Sequence, residues 1–214
     1  MTLRLPRRRF HPKTLALLQR VVASPEAVLD GAGVREVVIV DTETSEAGRG
    51  ARLVELAALC VRDGAVVEEF QTLVNPESHI SGFVTSIHHI TDAMVARAPT
   101  VGPALRAFLA FAGARPLVAH NAPFDRGVLS RELLRAELPR PAVPMYCTLK
   151  LARRVFPDAP NHRLETLARW LKVPAMPSHR ALADCRATLG VFNAVTARHP
   201  KGAWVTVHGA AKTL

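Results

Sequence analysis

No apolar run in the chain reaches the roughly 18 residues that a transmembrane helix needs, so the sequence offers no membrane span. Cysteine is sparse. Cys60, Cys147 and Cys185 are widely spaced in apolar stretches, with neither the paired spacing of a zinc site nor the density of a disulfide framework. That usage suits a reducing, cytoplasmic setting. Aromatic residues make up only 5% of the chain, which leaves few rings for stacking on a flat ligand. Acids are short too: 18 Asp and Glu against 28 Lys and Arg give a formal charge of +10. Such an excess favours a polyanionic partner, nucleic acid first and an anionic membrane surface second. Arg far outnumbers Lys, and Ala, Pro and Val are plentiful, so the drift of a GC-rich bacterial genome explains the same charge equally well.

What is present reads as one globular unit. The 214 residues suffice for a single sizeable core, and no internal repeat or long linker divides them. Residues 1–35 form a basic arm: Arg4, Arg7, Arg8, Arg9, Lys13 and Arg20 fall in a first stretch of twenty that holds no acid. It lacks the long apolar region of a secretion signal. With Pro6 and Pro12 interrupting it, a mature arm leading into a short helix over Lys13–Val22 is the reading preferred to a mitochondrial presequence. Residues 36–200 carry the folded pattern, and 201–214 form a tail with a candidate strand at Trp204–Val207.

Within the folded part, Glu36–Asp41 (EVVIVD) is a short β-branched run, and Arg52–Arg62 and Ala65–Val74 read as further strands. Asp63-Gly64 between the latter two is a strong hairpin signal. Thr91-Asp92 caps a short helix, and Val101–Gly113 has helical apolar spacing. Pro116–His120 reads as a strand, and Ala122–Leu138 as a helix with Phe124, Val128, Leu129 and Leu133 on one side. Met145–Thr148 is a fifth strand, and helices follow at Leu149–Phe156, Leu164–Leu171 and Ala181–Arg198. Strands alternating with helices after a hairpin give an α/β fold with a mixed sheet.

Three acidic segments stand out, and each has an ordinary structural explanation. Asp41 and Glu43 lie two apart at the end of the first strand, so both carboxylates can face one spot, although acids there are more often solvated turn residues. In His120-Asn121-Ala122-Pro123-Phe124-Asp125, Asn121 can cap the next helix and Pro123 suits its first turn. Asp125 in that turn is explained as well by the helix dipole. In His179-Arg180-Ala181-Leu182-Ala183-Asp184, a five-residue offset on one helix would separate the two end side chains by roughly 140°. They can serve one site only if His179 sits on the loop or cap before the helix, which Pro177 and Ser178 make natural.

Taken together, the segments resemble the DEDDh exonucleases, the group that contains RNase T and the proofreading epsilon subunit of bacterial DNA polymerase III. Asp41-Thr42-Glu43 matches the first motif of that group. His120, Asn121, Phe124 and Asp125 match the second, and His179 with Asp184 the third. Arg52-Leu53-Val54-Glu55-Leu56, Leu73-Val74-Asn75-Pro76, Ile87-His88, Cys147-Thr148-Leu149 and Asn161-His162-Arg163-Leu164 are similar as well. The resemblance covers roughly residues 37–196. It implies a ribonuclease H-like fold, with a five-stranded mixed sheet flanked by helices, and an exonuclease domain over residues 36–200.

The resemblance also implies a chemistry. Four carboxylates do not converge without counter-charge, since two unit charges 4 Å apart repel by about 4 kcal/mol at an effective dielectric near 20. Two divalent cations, Mg²⁺ or Mn²⁺, are implied, with Asp41 bridging both, Asp184 sharing one, and Glu43 and Asp125 completing the shells. His179 is the implied general base toward water, with activity rising from pH 6 to 8, as a histidine base predicts. Thr42 and Thr44 would position the terminal nucleotide. His88, His120 and Asn121 would line its cleft, with a structural role equally open for the two histidines. Arg180 and Arg186 are candidates for phosphate contact, with a solvated helix face the favoured reading.

The expected activity is 3′-to-5′ hydrolysis at single-stranded or mismatched DNA ends, releasing nucleoside 5′-monophosphates. RNA trimming by the same chemistry is one alternative. A noncatalytic nucleic-acid-binding relative is another, but its signature, a lost acid, is absent. The chain lacks the long tail by which epsilon subunits bind a polymerase, so a stand-alone repair or trimming nuclease is preferred to a polymerase partner. Two positions depart from the family pattern. Ser45-Glu46 replaces a Thr-Gly continuation, adding an acid near the cleft, and His89 stands where glycine is common, which would crowd a close backbone approach.

Overall fold

A computed structural model describes residues 36–48, 50–174 and 179–198. The basic arm with its helix over 13–22, the capping role of Ser178 and the tail strand at 204–207 lie outside the described residues. The strands are β1 (Glu36–Thr44), β2 (Leu53–Arg62), β3 (Ala65–Leu73), β4 (Leu117–Ala119) and β5 (Met145–Cys147). The helices are α1 (Gly82–His88), α2 (Asp92–Val95), α3 (Val101–Ala112), α4 (Pro123–Arg135), α5 (Thr148–Val155), α6 (Leu164–Trp170) and α7 (Ala181–Arg198).

The five strands form one sheet in the order β3-β2-β1-β4-β5. β1, β2 and β3 pair antiparallel, while β4 joins β1, and β5 joins β4, in parallel. This is the ribonuclease H-like α/β arrangement expected, a five-stranded mixed sheet flanked by helices. Alternation along the central strands sorts the core into two layers. Val38, Val40, Leu56 and Ala58 face α3 and α4, meeting Leu105, Phe108, Val128, Leu129 and Leu133. Val37, Ile39, Ala57 and Leu59 face α5, α6 and α7, meeting Leu151, Phe156, Leu167, Cys185 and Val191. Each such aliphatic side chain stabilises by roughly 1.5–3 kcal/mol when fully buried, so β1 is held from both sides. Among the described residues no helix is long and apolar enough to cross a membrane.

The hairpin turn forms where its dipeptide predicts. Asp63 and Gly64 both have positive φ, 51° and 82°, the combination that matches strand twist in a two-residue hairpin. Asn193 on α7 donates to the Gly64 carbonyl at 2.9 Å and ties the hairpin to the last helix.

Three local readings differ from the sequence pattern. α1 is an added helix, capped by the Ser81 hydroxyl, which accepts from Val84 N–H. Its inward positions are Val84 and His88, while the apolar Phe83 and Ile87 face outward, so a polar residue in the core position hides the helical period. Phe124 is 45% exposed rather than part of α4's packed side. The buried stripe runs through Asp125, Val128, Leu129, Glu132 and Leu133, one step around the helix from it. Asn121 does not cap α4 either. It adopts a left-handed φ of 65°, Ala122 is the N-cap residue, and only the Asn121 carbonyl engages the helix, accepting from Phe124 N–H at 2.9 Å.

Candidate active site

β1 delivers the first two acids. Asp41 and Glu43 point to the α7 side of the sheet, and β1 pairs with β4 only at Val38 and Ile39, so neither residue has a strand partner on that edge. The β1–β2 register slips between Glu43 and Thr44, a bulge that ends regular pairing beside the acids. Asp184, in the first turn of α7, completes the group: one carboxylate oxygen from each of Asp41, Glu43 and Asp184 lies within 4.8 Å of the others. All three are half-buried.

Asp125 comes from the other face of the sheet, on α4, and is 2% exposed. Its Oδ1 accepts from the Thr42 hydroxyl at 2.9 Å. It stands outside the three-residue group but close enough to push the Asp41 carboxyl upward. The end of β1 thus holds acids on both faces, with Thr42 fixing the fourth.

Burial and mutual repulsion dominate the electrostatics of this site, and Arg180 and His179 offset only part of it. Burial first, then Asp125, Glu43 and Asp184, drives the Asp41 carboxyl well above the ordinary carboxylate range. Glu43 is raised to about 8 by burial and by Asp184 and Glu55. Asp125 is raised to about 7 by burial, against the opposing bonds from Thr42. Asp184 is raised by burial, and His179 partly offsets this. An all-oxygen set of acids that cannot all ionise alone is what a hard divalent cation relieves, so the residues fit Mg²⁺ or Mn²⁺.

The placement of α7 depends on a residue that sequence reading passed over. Glu55, fully buried on β2 directly opposite Glu43, accepts from Arg180 Nε at 3.1 Å and from Arg180 Nη2 at 2.7 Å. It also accepts from Ala181 N–H at 3.0 Å and from Gln71 at 2.9 Å. Burial pushes the Glu55 carboxyl up, but these bonds outweigh it and hold the group below its usual range. A lone acid inside the apolar strand LVELAALCV was the available signal, because a buried carboxylate must be paired. This clamp fixes the first turn of α7, and with it Asp184. His179 precedes the helix on a bend, exposed, with a left-handed φ of 64°, the off-helix position the shared site requires.

The remaining candidates are more internal. The Thr44 hydroxyl donates to the Glu46 carbonyl at 3.0 Å, and the Thr42 hydroxyl to Asp125, so both hydroxyls have protein partners. His88 is 1% exposed; its Nδ1 accepts from Ile90 N–H and its Nε2–H donates to the Thr44 carbonyl. His120 Nε2–H donates to the His162 carbonyl at 2.9 Å, and its Nδ1 lies 2.9 Å from the Thr148 hydroxyl. Both rings brace the loops around the site. Arg180 and Arg186 are paired with Glu55 and Glu69. Glu46 is exposed. His89 is exposed too, and serves as the left-handed C-cap of α1 (φ 60°), a position where glycine is common for backbone reasons rather than for space. Beside Asn121 an open cleft of about 730 Å³ lies among the loop after β4, α5 and the segment leading into α6, lined by His120, Asn121, Arg153, His162, Arg163 and Leu164 among others.

A family model described as an exonuclease, RNase T, matches residues 38–192, a span that includes all four acids and His179. A Mycobacterium tuberculosis protein named as a bifunctional exonuclease/endonuclease is 42% identical over 170 residues, 75% of this chain and 26% of that protein. The PolC-type DNA polymerase III of Bacillus subtilis is 36% identical over 157 residues, 71% of this chain and 11% of the polymerase. The chain therefore spans only about a quarter, or a ninth, of those relatives. Among solved structures, exonuclease X in complex with a 5′-overhanging duplex DNA superposes with a TM-score of 0.63 at 34% identity, covering 75% of this chain and 91% of that one. E. coli exonuclease I bound to a dA16 oligonucleotide shares the fold, with a TM-score of 0.70 at 19% identity, covering 81% and 43%.

Proposed function

The chain belongs to the RNase T family of DEDD exonucleases, which are metal-dependent hydrolases, and from that premise we propose that it removes nucleotides one at a time from the 3′ end of DNA. The observation that carries this reading is the convergence of Asp41, Glu43 and Asp184 within 4.8 Å, with Asp125 fixed beside them by Thr42. Asp41 and Asp184, with Glu43 and Asp125, would hold two divalent cations. When bound, these ions neutralise the acids and stabilise the attacking and leaving oxygens of a phosphodiester.

The chain's own residues do the rest. His179, exposed at the lip of the site, takes a proton from the attacking water. The water oxygen bonds to phosphorus, the bond to the 3′ oxygen of the next nucleotide breaks, and a nucleoside 5′-monophosphate leaves. Thr42 keeps the Asp125 carboxylate in place, and the Glu55–Arg180 clamp keeps Asp184 and His179 at the site. DNA is the proposed substrate class because exonuclease X, 34% identical to this chain, is bound to a DNA duplex with a 5′ overhang.

The test is digestion of 5′-labelled oligonucleotides: single-stranded DNA, mismatched duplex and RNA of one sequence, with Mg²⁺, Mn²⁺ or EDTA. The expected result is a one-nucleotide ladder on DNA that disappears in EDTA. Products released from the 5′ side, or a ladder on RNA alone, would contradict the proposal.

A further inference from the structure

Among the described arginines, some are ion-paired and others are not. Seven described arginines lie within ion-pair distance of a carboxylate: Arg52, Arg62, Arg115, Arg135, Arg169, Arg180 and Arg186. Arg153 and Arg163 do not, and both line the 730 Å³ cleft beside α5. No Asp or Glu is among the residues that line it. Two uncompensated guanidinium groups in one concavity concentrate positive potential there.

Two of the lining residues adjoin segments that reach the acids. Asn121, on its wall, is four residues before Asp125 in the same β4–α4 segment. Leu164, which also lines the cleft, is next to Glu165, which lies near enough to Asp184 to raise its carboxyl. A chain reaching the acids from this side passes the two arginines. His120 supplies no charge here, since both its ring nitrogens have partners and burial lowers its pKa. It holds the cleft open instead, tying the loop after β4 to Thr148 of α5 and to the His162 carbonyl before α6. The Asn161 Oδ1 accepts from Arg163 N–H at 3.0 Å, setting the turn from which Arg163 projects and leaving the amide NH₂ as a further donor. Leu149 and Leu164 add an apolar surface suited to sugar and base faces.

We propose that this cleft is the track for the single-stranded part of the substrate next to the scissile bond, with Arg153 and Arg163 each neutralising one backbone phosphate. The proposal rests on the exonuclease reading and names the segment of substrate that the catalytic acids do not hold. Guanidinium forks and amides grip phosphates without reading sequence, so the track is indifferent to base identity.

The test uses the full chain with Arg153→Gln and Arg163→Gln combined; both residues are exposed, so the fold is retained. A charge-matched control combines Arg106→Gln and Arg140→Gln, two exposed arginines outside the cleft. Binding is read by fluorescence anisotropy in Mg²⁺, with labelled dT12 protected by phosphorothioate linkages at its 3′ end. The expected result is affinity at least about tenfold weaker for the cleft variant, with the salt slope lowered by about 1.4, two phosphates at roughly 0.7 each on single strands. The control should stay within about twofold of the unaltered chain. Equal weakening by the control, or an unchanged cleft variant, overturns the proposal.

A second readout separates the two readings. Thymidine 5′-monophosphate p-nitrophenyl ester needs only the acids and His179, and its hydrolysis should be the same in the cleft variant and the unaltered chain. Loss of ester hydrolysis in the cleft variant alone overturns the track, because the arginines would then act at the reacting phosphate. Absence of hydrolysis of both ester and oligonucleotide by the unaltered chain would sink the exonuclease reading, while the anisotropy result would still decide the track.

Discussion

Arg180 and Glu55 meet side-on, through bonds of 3.1 and 2.7 Å, while the same Glu55 carboxylate accepts the first free N–H of α7 from Ala181. One buried acid on β2 therefore anchors both the residue after His179 and the helix that carries Asp184. Replacing Arg180 with Ala leaves Glu55 with Gln71 and one backbone N–H. Breaking a fully buried pair costs 3–5 kcal/mol, and because Arg180 is partly exposed the expected loss is smaller, about 2–3 kcal/mol. Urea unfolding measures it. The Glu55 carboxyl is held below its ordinary 4.5, so its stabilisation is present above that pH and fades as pH falls through the lowered folded value. Arg180→Ala should therefore cost most at neutral pH and progressively less on acidification.

The Thr42 hydroxyl on Asp125 is the second specific support. Thr42→Val keeps the shape and removes the donor. The expected outcome is Mg²⁺ affinity about tenfold weaker, from the loss of an outer-shell partner to a ligating carboxylate, with the fold intact. Calorimetric titration of Mg²⁺ checks it, and unchanged affinity would remove Thr42 from the site's support.

Without metal, the acids should make the protein less stable as pH rises. Glu43 moves from an ordinary 4.5 to about 8 and Asp125 from 3.8 to about 7. Raised folded values mean that the associated stability is present below the unfolded pKa and is lost as pH climbs through the folded one. In EDTA the Tm should fall between pH 5 and 8.5. Added Mg²⁺ should restore it at the alkaline end by binding the ionised acids. A Tm that rises over this range in EDTA would contradict the charge balance described for the site.

His179→Ala should lower kcat by about 10²–10⁴-fold with little change in KM, the loss expected of a missing general base. Steady-state kinetics reads both constants.

The sequence carried the fold's outline because its strongest signals are local. Val37–Val40 is a β-branched run, Asp63-Gly64 supplies two positive φ values, and Ala181–Arg198 begins after a helix-breaking stretch. The three acids of the central group were legible for the same reason: alternation places Asp41 with Glu43, and only an off-helix His179 lets Asp184 share its site. What was not legible depends on tertiary partners. Glu55 stands out in its apolar strand as an acid that needs a partner, but that partner, Arg180, lies 125 positions away. His88 sits in a core position that apolar periodicity assigns to another residue type, so α1 was missed. Asn121 has a capping side chain but a left-handed backbone, and Phe124 falls just outside a buried stripe that Asp125 and Glu132 complete. Arg153 and Arg163 stand ten residues apart, and only the tertiary fold shows that they line one cleft.

The central claim is that Asp41, Glu43, Asp125 and Asp184 form one metal-dependent hydrolytic site. Its most direct measurement is the single-turnover rate of 3′-end digestion of a 5′-labelled DNA strand across a Mg²⁺ titration, for the unaltered chain and for Asp41→Asn. The account predicts a rate that rises to saturation with Mg²⁺, is abolished by EDTA, and falls at least about a thousandfold in Asp41→Asn while its circular dichroism stays native. A folded Asp41→Asn protein that digests DNA within tenfold of the unaltered chain, or activity that persists in EDTA, would contradict it.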